Sequence, residues 1–260
     1  MMTPWRVYDG RRSRSNEPIE EVHDAITVEA PLYIDLNDAP FTMTMQTPGN
    51  ERELARGLLH TEGLVRHLNA DVLLEAITSA ETSIIDRIRI HVDEAHVESA
   101  PWSKRQLLSV ASCGICGRTS MEDLEGNLST SSPEITVDQV QDMLAVMQTK
   151  QQHFAVTGGC HAAAAFDRDG VCLSLMEDIG RHNAVDKVIG VLILNRQLNQ
   201  AKRMVVSGRV SYEIVAKCFT AGIPELYSIS APSSLAIDFS KELGIRLYAY
   251  CRDHRFTRYA

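Results

Sequence analysis

Apolar and polar residues alternate along the first part of the chain, as is typical of strands with one buried face. The run ITVEAPLYIDLNDAPFTMTMQTP, residues 26–48, alternates on both sides of Asn37-Asp38 and so predicts a β-hairpin that turns at this dipeptide. ERELARGLLHTEGLV then predicts a short helix with Leu54, Leu58 and Leu59 on one face. Two more strands are expected at LLEAITS and DRIRIHV. Residues 21–135 therefore predict an α+β N-terminal region.

Residues 1–20 are polar and interrupted by prolines and a glycine, which predicts a flexible arm. From residue 136 onwards the pattern changes to helices that alternate with strands. TVDQVQDMLAVMQTK and NAVDKVIGVLIL predict helices, and residues 203–252 predict strand, helix, strand, helix and strand in succession. This order indicates an open α/β domain with a largely parallel sheet over residues 136–260.

Composition narrows the classes of function. The chain has 260 residues and a formal net charge of −8, which argues against a general nucleic-acid binder. No apolar run approaches the ~20 residues of a membrane span, and the N-terminus does not resemble a secretory signal. We therefore expect a cytoplasmic protein without a membrane partner. In a reducing compartment, a close pair among its six cysteines is expected to be catalytic or metal-binding rather than a disulfide.

Such a pair lies in SCGICG, residues 112–117, where a glycine follows each cysteine. The glycines leave Cys113 and Cys116 open to approach, and a helix beginning at RTSMEDL would favour their thiolates. Reactive thiols are the favoured interpretation. A zinc site completed by Cys160-His161 stays open, as does a zinc deaminase, because His60 and His96 each precede a glutamate by two positions. We assign Cys160 itself to packing in a glycine turn.

Three strand-to-helix junctions carry polar residues suited to a phosphate. EDIGRHNAVDKVIG, residues 177–190, places Arg181, His182 and Asn183 at the start of an apolar helix, where free N–H groups attract anions. Ser207-Gly208-Arg209 and Ser233-Ser234 begin the next two helices. Junctions of this kind gather at one edge of a parallel sheet, so the three are expected to share a nucleotide-sized or phosphate-bearing ligand.

These segments together resemble the formate dehydrogenase accessory sulfurtransferase family, FdhD. The resemblance covers nearly the whole chain and includes SCGICG, TGGCHAAA, SGRVSYEIVAKCFTAGIP and SAPSSLAIDFSKELG, with EDIGRHNAVDKVIG as its most specific element. It implies a sulfurtransferase that accepts persulfide sulfur from a cysteine desulfurase. The sulfur passes to the molybdenum bis(molybdopterin guanine dinucleotide) cofactor. Formate dehydrogenase or a related molybdoenzyme needs this cofactor.

The resemblance also implies roles for particular residues. Cys113 matches the persulfide carrier and Cys116 its partner in the motif. The cofactor-binding segment near the family's C-terminus matches Tyr250, Cys251, Arg252, Asp253, His254 and Arg255. The family further implies a C-terminal domain resembling the cytidine deaminase fold, without its zinc, and a homodimer. A zinc-dependent hydrolase and a non-catalytic cofactor chaperone are the alternative functions.

Overall fold

The computed structural model describes residues 3–98, 128 and 134–260, which form three β-sheets and six α-helices. Within these residues the chain is a mixed α/β protein. The SCGICG element and the helix expected at RTSMEDL lie outside the described residues.

The N-terminal region contains a four-stranded sheet in the order β4-β3-β6-β5. Its strands are β3 (Ala30–Leu36), β4 (Ala39–Gln46), β5 (Val72–Thr78) and β6 (Ile85–Val92). The β3–β4 hairpin turns at Asn37 and Asp38, whose φ angles of 46° and 64° match the left-handed conformation of a two-residue hairpin loop. The hairpin and the two following strands are confirmed.

The expectation of a flexible arm over residues 1–20 is wrong for residues 5–12, which form a strand. β1 (Trp5–Arg12) pairs antiparallel with β2 (Glu20–Thr27) along their whole length, from Trp5 opposite Thr27 to Arg12 opposite Glu20. The pairing joins a basic strand to an acidic one, with Arg12 3.0 Å from Asp24. Both faces of this ribbon are largely exposed, so the strands lack the apolar alternation by which a sequence reveals a buried face.

The C-terminal region is built on a six-stranded sheet in the order β12-β11-β10-β9-β7-β8. Its strands are β7 (His161–Phe166), β8 (Cys172–Asp178), β9 (Arg203–Val206), β10 (Glu225–Ser228), β11 (Arg246–Arg252) and β12 (Arg255–Arg258). Only β9, β10 and β11 run parallel, so the expectation of a largely parallel sheet is corrected to a mixed one. The reason is that short turns join β7 to β8 and β11 to β12, and a tight turn can connect only antiparallel strands.

The helices of the described residues are α1 (Glu51–Thr61), α2 (Val137–Lys150), α3 (Gln152–Thr157), α4 (Arg181–Leu194), α5 (Tyr212–Thr220) and α6 (Ser234–Leu243). Four of these helices cover the two faces of the six-stranded sheet. α4, α5 and α6 share an apolar core with one face, and α2 packs on the other through Val140, Met143 and Met147. The N-cap of α2 is Thr136, whose Oγ1 accepts from Gln139 N while Thr136 N donates to Gln139 Oε1, so the start of the predicted helix is confirmed.

α1 joins the two regions. Leu54 and Leu59 are buried against the four-stranded sheet, while the opposite side of the helix packs on α4. The crossing depends on two glycines. A Cβ on Gly57 would lie 1.9 Å from Asp186 O, and a Cβ on Gly190 would lie 1.8 Å from Glu53 O. The two backbones are therefore in direct contact, which places the N-terminal sheet against the start of α4.

Candidate functional site at the edge of the six-stranded sheet

Most of the polar residues that the sequence singled out lie along one line of strand ends in the six-stranded sheet. This line of strand ends is called the edge of the sheet below. The carboxyl ends of β9, β10 and β11 lie there because these strands are parallel. β7 runs the other way, so its first residue, His161, lies at the same edge opposite Asp178, the last residue of β8. The starts of α4, α5 and α6 follow from this edge.

The start of α4 is fixed by the buried carboxylate of Asp178. Its Oδ1 accepts from Gly180 N at 2.7 Å and from Asn183 Nδ2 at 3.1 Å, and its Oδ2 accepts from Thr47 N at 3.1 Å. Lys187 Nζ lies 2.8 Å from the same Oδ2. The four partners hold the first turn of α4 against the end of β4.

Asn183 is part of the hydrogen-bond network around Asp178. Its Nδ2 also donates to Met45 O at 2.8 Å, and its Oδ1 accepts from Thr44 at 3.3 Å. Both N–H groups of the amide are therefore used inside the protein. Asn183, a predicted cofactor-binding residue, holds the helix in place rather than presenting its amide to the edge.

Arg181 lies in the first turn of α4 without an acidic partner among the described residues. Gly180, at the N-cap position, has no side chain to cap the helix, and the first turn contains no acidic residue. Arg181 Nε is buried and makes no hydrogen bond within the described part of the chain. The Asp178 carboxylate at this helix start is already paired with Lys187, so the added positive charge of Arg181 favours a further anion such as a phosphate.

Gly208 brings the loop after β9 against Arg181. A Cβ at Gly208 would lie 3.1 Å from His161 Nδ1 and 3.5 Å from Arg181 Cβ. The neighbouring Ser207 accepts from Ala162 N at 2.9 Å through its Oγ, and Arg209 is exposed. His161, which the sequence analysis did not place in the ligand site, therefore lies between the two predicted segments; its position directly after a glycine turn was the available signal.

His182 is held on the α5 side of the edge. Its Nε2 lies 3.1 Å from Ser211 Oγ and 3.1 Å from Glu213 Oε2. Burial, together with the nearby charges of Lys217 and Arg181, lowers the pKa of His182 to about 3. The imidazole is therefore neutral at pH 7, and its Nε2–H donates within the protein. Glu213 lies 31 positions after His182, and no sequence pattern indicated that the two side chains are in contact.

The loops after β9 and β10 are joined to one another. Val210 N donates to Ala231 O, and Ser233 N donates to Val210 O at 2.9 Å. Ser228 donates to Gly208 O at 2.8 Å, which fixes the turn that faces Arg181. The Ser233 side chain caps α6 by accepting from Ala236 N, while Ser234 is exposed beside it. Ser234 is thus the freer hydroxyl of the predicted pair.

The C-terminal segment divides into two parts. Tyr250 meets the edge, because its N–H donates to Ser230 O at 3.1 Å, and its φ of 55° is a strained left-handed conformation. Cys251 is fully buried in the core on the α2 side of the sheet, and burial raises the pKa of its thiol to about 11. The thiol of Cys251, a predicted cofactor-binding residue, therefore lies in the core and not at the polar edge.

The remaining residues of that segment form the turn of the β11–β12 hairpin and are exposed. They are Arg252, Asp253, His254 and Arg255. Asp253 and His254 have φ angles of 53° and 52°, as a two-residue hairpin loop requires. This turn extends beyond the strand ends, with the Arg252 guanidinium 5.9 Å from the centre of the Tyr250 ring.

The residues behind the zinc alternatives have structural contacts. Cys160 is buried with its Sγ 3.4 Å from Thr27 Oγ1, and burial raises the pKa of its thiol. His60 lies inside the α1 packing with its Nε2 3.2 Å from Thr220 O. The described residues contain no group of three or more His, Cys, Asp or Glu side chains arranged for a metal ion. Cys113 and Cys116 lie outside that search.

The fold is that of a mixed α/β protein in which a helix start and two loops bring polar residues together at one edge of the six-stranded sheet. The chain matches the model of the FdhD/NarQ family over residues 27–260, and it belongs to that family. None of the helices within the described ranges is both long and apolar enough to span a membrane.

Named relatives agree with this assignment. The chain is 36% identical to a "Sulfur carrier protein FdhD" of Nocardia farcinica, over 98% of this chain and 94% of the relative. It is 37% identical to the protein of the same name in Sulfolobus acidocaldarius, over 98% and 93%. A crystal structure of a protein from Desulfotalea psychrophila, proposed to be a formate dehydrogenase accessory protein, has the same fold, with a TM-score of 0.77 at 23% identity and coverage of 99% and 97%.

Proposed function

We propose that this protein is a sulfur carrier that serves formate dehydrogenase or a related molybdoenzyme. Membership of the FdhD/NarQ family and full-length relatives named as sulfur carriers support this function. In the proposed reaction, a cysteine desulfurase donates sulfur to form a persulfide on Cys113. Cys116 assists the carrier cysteine, and the sulfur then passes to the molybdenum cofactor, which is a substrate here.

The edge of the six-stranded sheet is the proposed binding place for that cofactor. The observation that carries this proposal is the start of α4, where Arg181 lies beside Gly208 and His161 and no carboxylate of the described chain lies within ion-pair distance of it. A guanine dinucleotide carries a diphosphate, and a helix start with an arginine suits such a group. Ser207, Arg209, Ser234 and Tyr250 border the same edge and complete the proposed site.

Three further parts of the proposal rest on the resemblance to the family. The chain forms a homodimer, it works in the cytoplasm, and its C-terminal region resembles the cytidine deaminase fold. A six-stranded mixed sheet with helices on both faces supports the last of these.

The sulfur-carrier role is tested by intact mass spectrometry after incubation with a cysteine desulfurase and cysteine. We expect about one added sulfur on the parent chain and none on Cys113→Ala, with Cys160→Ser as the matched control that still gains sulfur. Cys113→Ala should also bind GDP normally yet fail to activate formate dehydrogenase. Full activation by that variant would overturn the assignment of Cys113.

The binding place is tested separately by calorimetry with GDP, which is a fragment of the proposed cofactor. A charge-assisted hydrogen bond contributes about 1.5–3 kcal/mol, so Arg181→Ala should weaken binding by roughly tenfold or more. Arg196→Ala, at the far end of α4, is the control. Equal affinities of the parent and Arg181→Ala would remove Arg181 from the site.

The same experiments separate the two alternative functions. A non-catalytic cofactor chaperone would still activate its target after both thiols, Cys113 and Cys116, are removed. A zinc-dependent hydrolase would contain about one zinc ion per chain on metal analysis of the purified protein.

A further inference from the structure

His161 lies at the candidate site but has no assigned role. It is the first residue of β7, half-buried, and its ring makes no hydrogen bond within the described part of the chain. Nδ1 and Cε1 pack over the backbone of Gly208, at 3.1 Å and 3.2 Å from the place where a Cβ would stand. A polar ring is thus held rigidly at the start of α4 with its hydrogen-bonding capacity unused.

The charges that face His161 come from three elements. Arg181 belongs to α4, Arg209 to the loop after β9, and Asp178 to the end of β8. Burial first, and then the two arginines, lower the pKa of His161, against a smaller opposite effect of Asp178. The Asp178 carboxylate is already paired with Lys187 and hydrogen-bonded to the start of α4.

The ring of the neighbouring His182 is not free to hydrogen-bond a ligand in the way that the His161 ring is. Its Nε2 is bound to Ser211 and Glu213, and its ring is more deeply buried among positive charges. Of the two histidines at this edge, only His161 both makes no hydrogen bond within the described chain and packs on Gly208, which also adjoins Arg181. This edge therefore carries two arginines and an imidazole of lowered pKa around the start of a helix.

A dianionic phosphate would reverse the balance of charge around His161. Its oxygens would stand beside Arg181 and the free N–H groups of α4, within reach of the His161 ring. Negative charge close to an imidazole favours the protonated form, which can then donate a charge-assisted hydrogen bond. We propose that His161 contacts the phosphate bound at this edge and takes up a proton as the phosphate binds, an inference that rests on the proposed function.

The consequence is a binding affinity that depends on pH. Because the complex holds more protons than the free protein, binding strengthens as pH falls towards the pKa of His161 in the free protein. Between the pKa of His161 in the bound protein and its pKa in the free protein, each unit by which the pH falls strengthens binding by up to about tenfold. Above the pKa of the bound state the ring stays neutral and the dependence ends.

The test is GDP calorimetry in two buffers with different heats of ionisation, which reports protons taken up per GDP bound. GDP itself titrates near neutral pH, so the quantity compared is the difference between the parent and His161→Gln. Glutamine keeps an N–H donor but carries no charge. His153→Gln, on α3, is the matched control.

We expect His161→Gln to take up fewer protons than the parent, by up to one per GDP. We also expect it to bind about tenfold more weakly at about pH 6 and nearly equally at about pH 8. His153→Gln should behave as the parent. Equal proton uptake and equal affinities for the parent and His161→Gln would overturn the inference while leaving the binding site standing.

A second measurement needs no variant. The His161 ring signals of the parent, assigned through the backbone signals of Cys160 and Ala162, are followed by NMR against pH with and without sulfate. Sulfate stays a dianion throughout this range, so any rise in the His161 pKa comes from the protein. An unchanged His161 pKa with sulfate or GDP bound would also overturn the inference, and absence of GDP binding to the parent would remove the site and the inference together.

Discussion

Lys217 donates to both carboxylate oxygens of Asp186, at 2.9 Å each, in the interior between α1, α4 and α5. Thr61 donates to Asp186 Oδ1 at 2.7 Å, and Glu62 lies 3.6 Å from the same ammonium group. Burial lowers the pKa of Lys217, but the carboxylates of Asp186 and Glu62 outweigh it and raise the pKa overall. This charged cluster fixes α1 to the helices that begin at the candidate site.

Removing Lys217 should leave Asp186 as a buried charge without a cation. Breaking one side of a buried ion pair costs about 3–5 kcal/mol, so we expect Lys217→Met to lower the free energy of unfolding by that amount. Urea denaturation measures it. Lys241→Met, at an exposed position on α6, should change stability little. A loss for Lys217→Met no larger than that of Lys241→Met would show that the pair does not stabilise the fold.

Gly190 should not tolerate a methyl group. In an exposed helix, alanine is favoured over glycine by about 1 kcal/mol, but here the new Cβ would lie 1.8 Å from the Glu53 carbonyl oxygen. Overpacking of this kind costs about 1–3 kcal/mol or more, so we expect Gly190→Ala to be destabilised in thermal unfolding. Gly10→Ala, where the nearest atom would be a Val22 methyl at 3.5 Å, is the control. A melting temperature for Gly190→Ala at or above that of the parent would contradict the close crossing.

Local signals in the sequence predicted the elements better than the contacts between them. Asn37-Asp38 and Thr136 act on their own neighbourhoods, and both were predicted correctly. The pairing of β1 with β2 was missed because its two faces are mostly exposed. α1 showed one apolar face, whereas its second buried face depends on contact with α4 at Gly57.

The candidate site follows the same division. Arg181 follows β8 and Gly208 follows β9, and the antiparallel strand β7 between them brings both strand ends to one edge. The sequence predicted this shared edge from a parallel sheet, which is not how these two strands are joined. The hydrogen bonds that Asn183 makes with Met45 and Thr44 join it to the other sheet, about 140 positions away in the chain. No local sequence pattern encodes such contacts. The binding role of this edge and the roles of Cys113 and Cys116 remain predictions.

His60 should make stability depend on acid. Burial, and then the charge of Arg56, lower its pKa from 6.5 to about 4, so the unfolded chain binds a proton at this residue at a higher pH than the folded chain does. Its contribution is full above pH 6.5 and is lost as pH falls from there towards 4. At about pH 5 the loss amounts to about 2 kcal/mol, since one pKa unit corresponds to about 1.4 kcal/mol.

Urea denaturation of His60→Asn at about pH 7.5 and pH 5 tests this dependence. The variant should lose about 2 kcal/mol less than the parent between the two pH values, whatever its stability at either one. His254→Asn, in the exposed β11–β12 turn where φ is 52°, should lose as much as the parent. Equal losses for the parent and His60→Asn would place the acid sensitivity elsewhere.

Cys160 should prove dispensable for sulfur transfer although it precedes His161 at the candidate site. Its side chain is 7% exposed, and its Sγ faces Thr27 Oγ1 at 3.4 Å under β2. Burial raises the pKa of its thiol, which works against the thiolate that sulfur transfer needs.

In Cys160→Ser the hydroxyl can keep the hydrogen bond to Thr27, so we expect a small loss of stability, about 1 kcal/mol, and sulfur transfer close to that of the parent. Activation of apo formate dehydrogenase by Cys160→Ser, with Cys113→Ala alongside as the inactive variant, measures this. A Cys160→Ser protein that unfolds like the parent but no longer transfers sulfur would give Cys160 a chemical role.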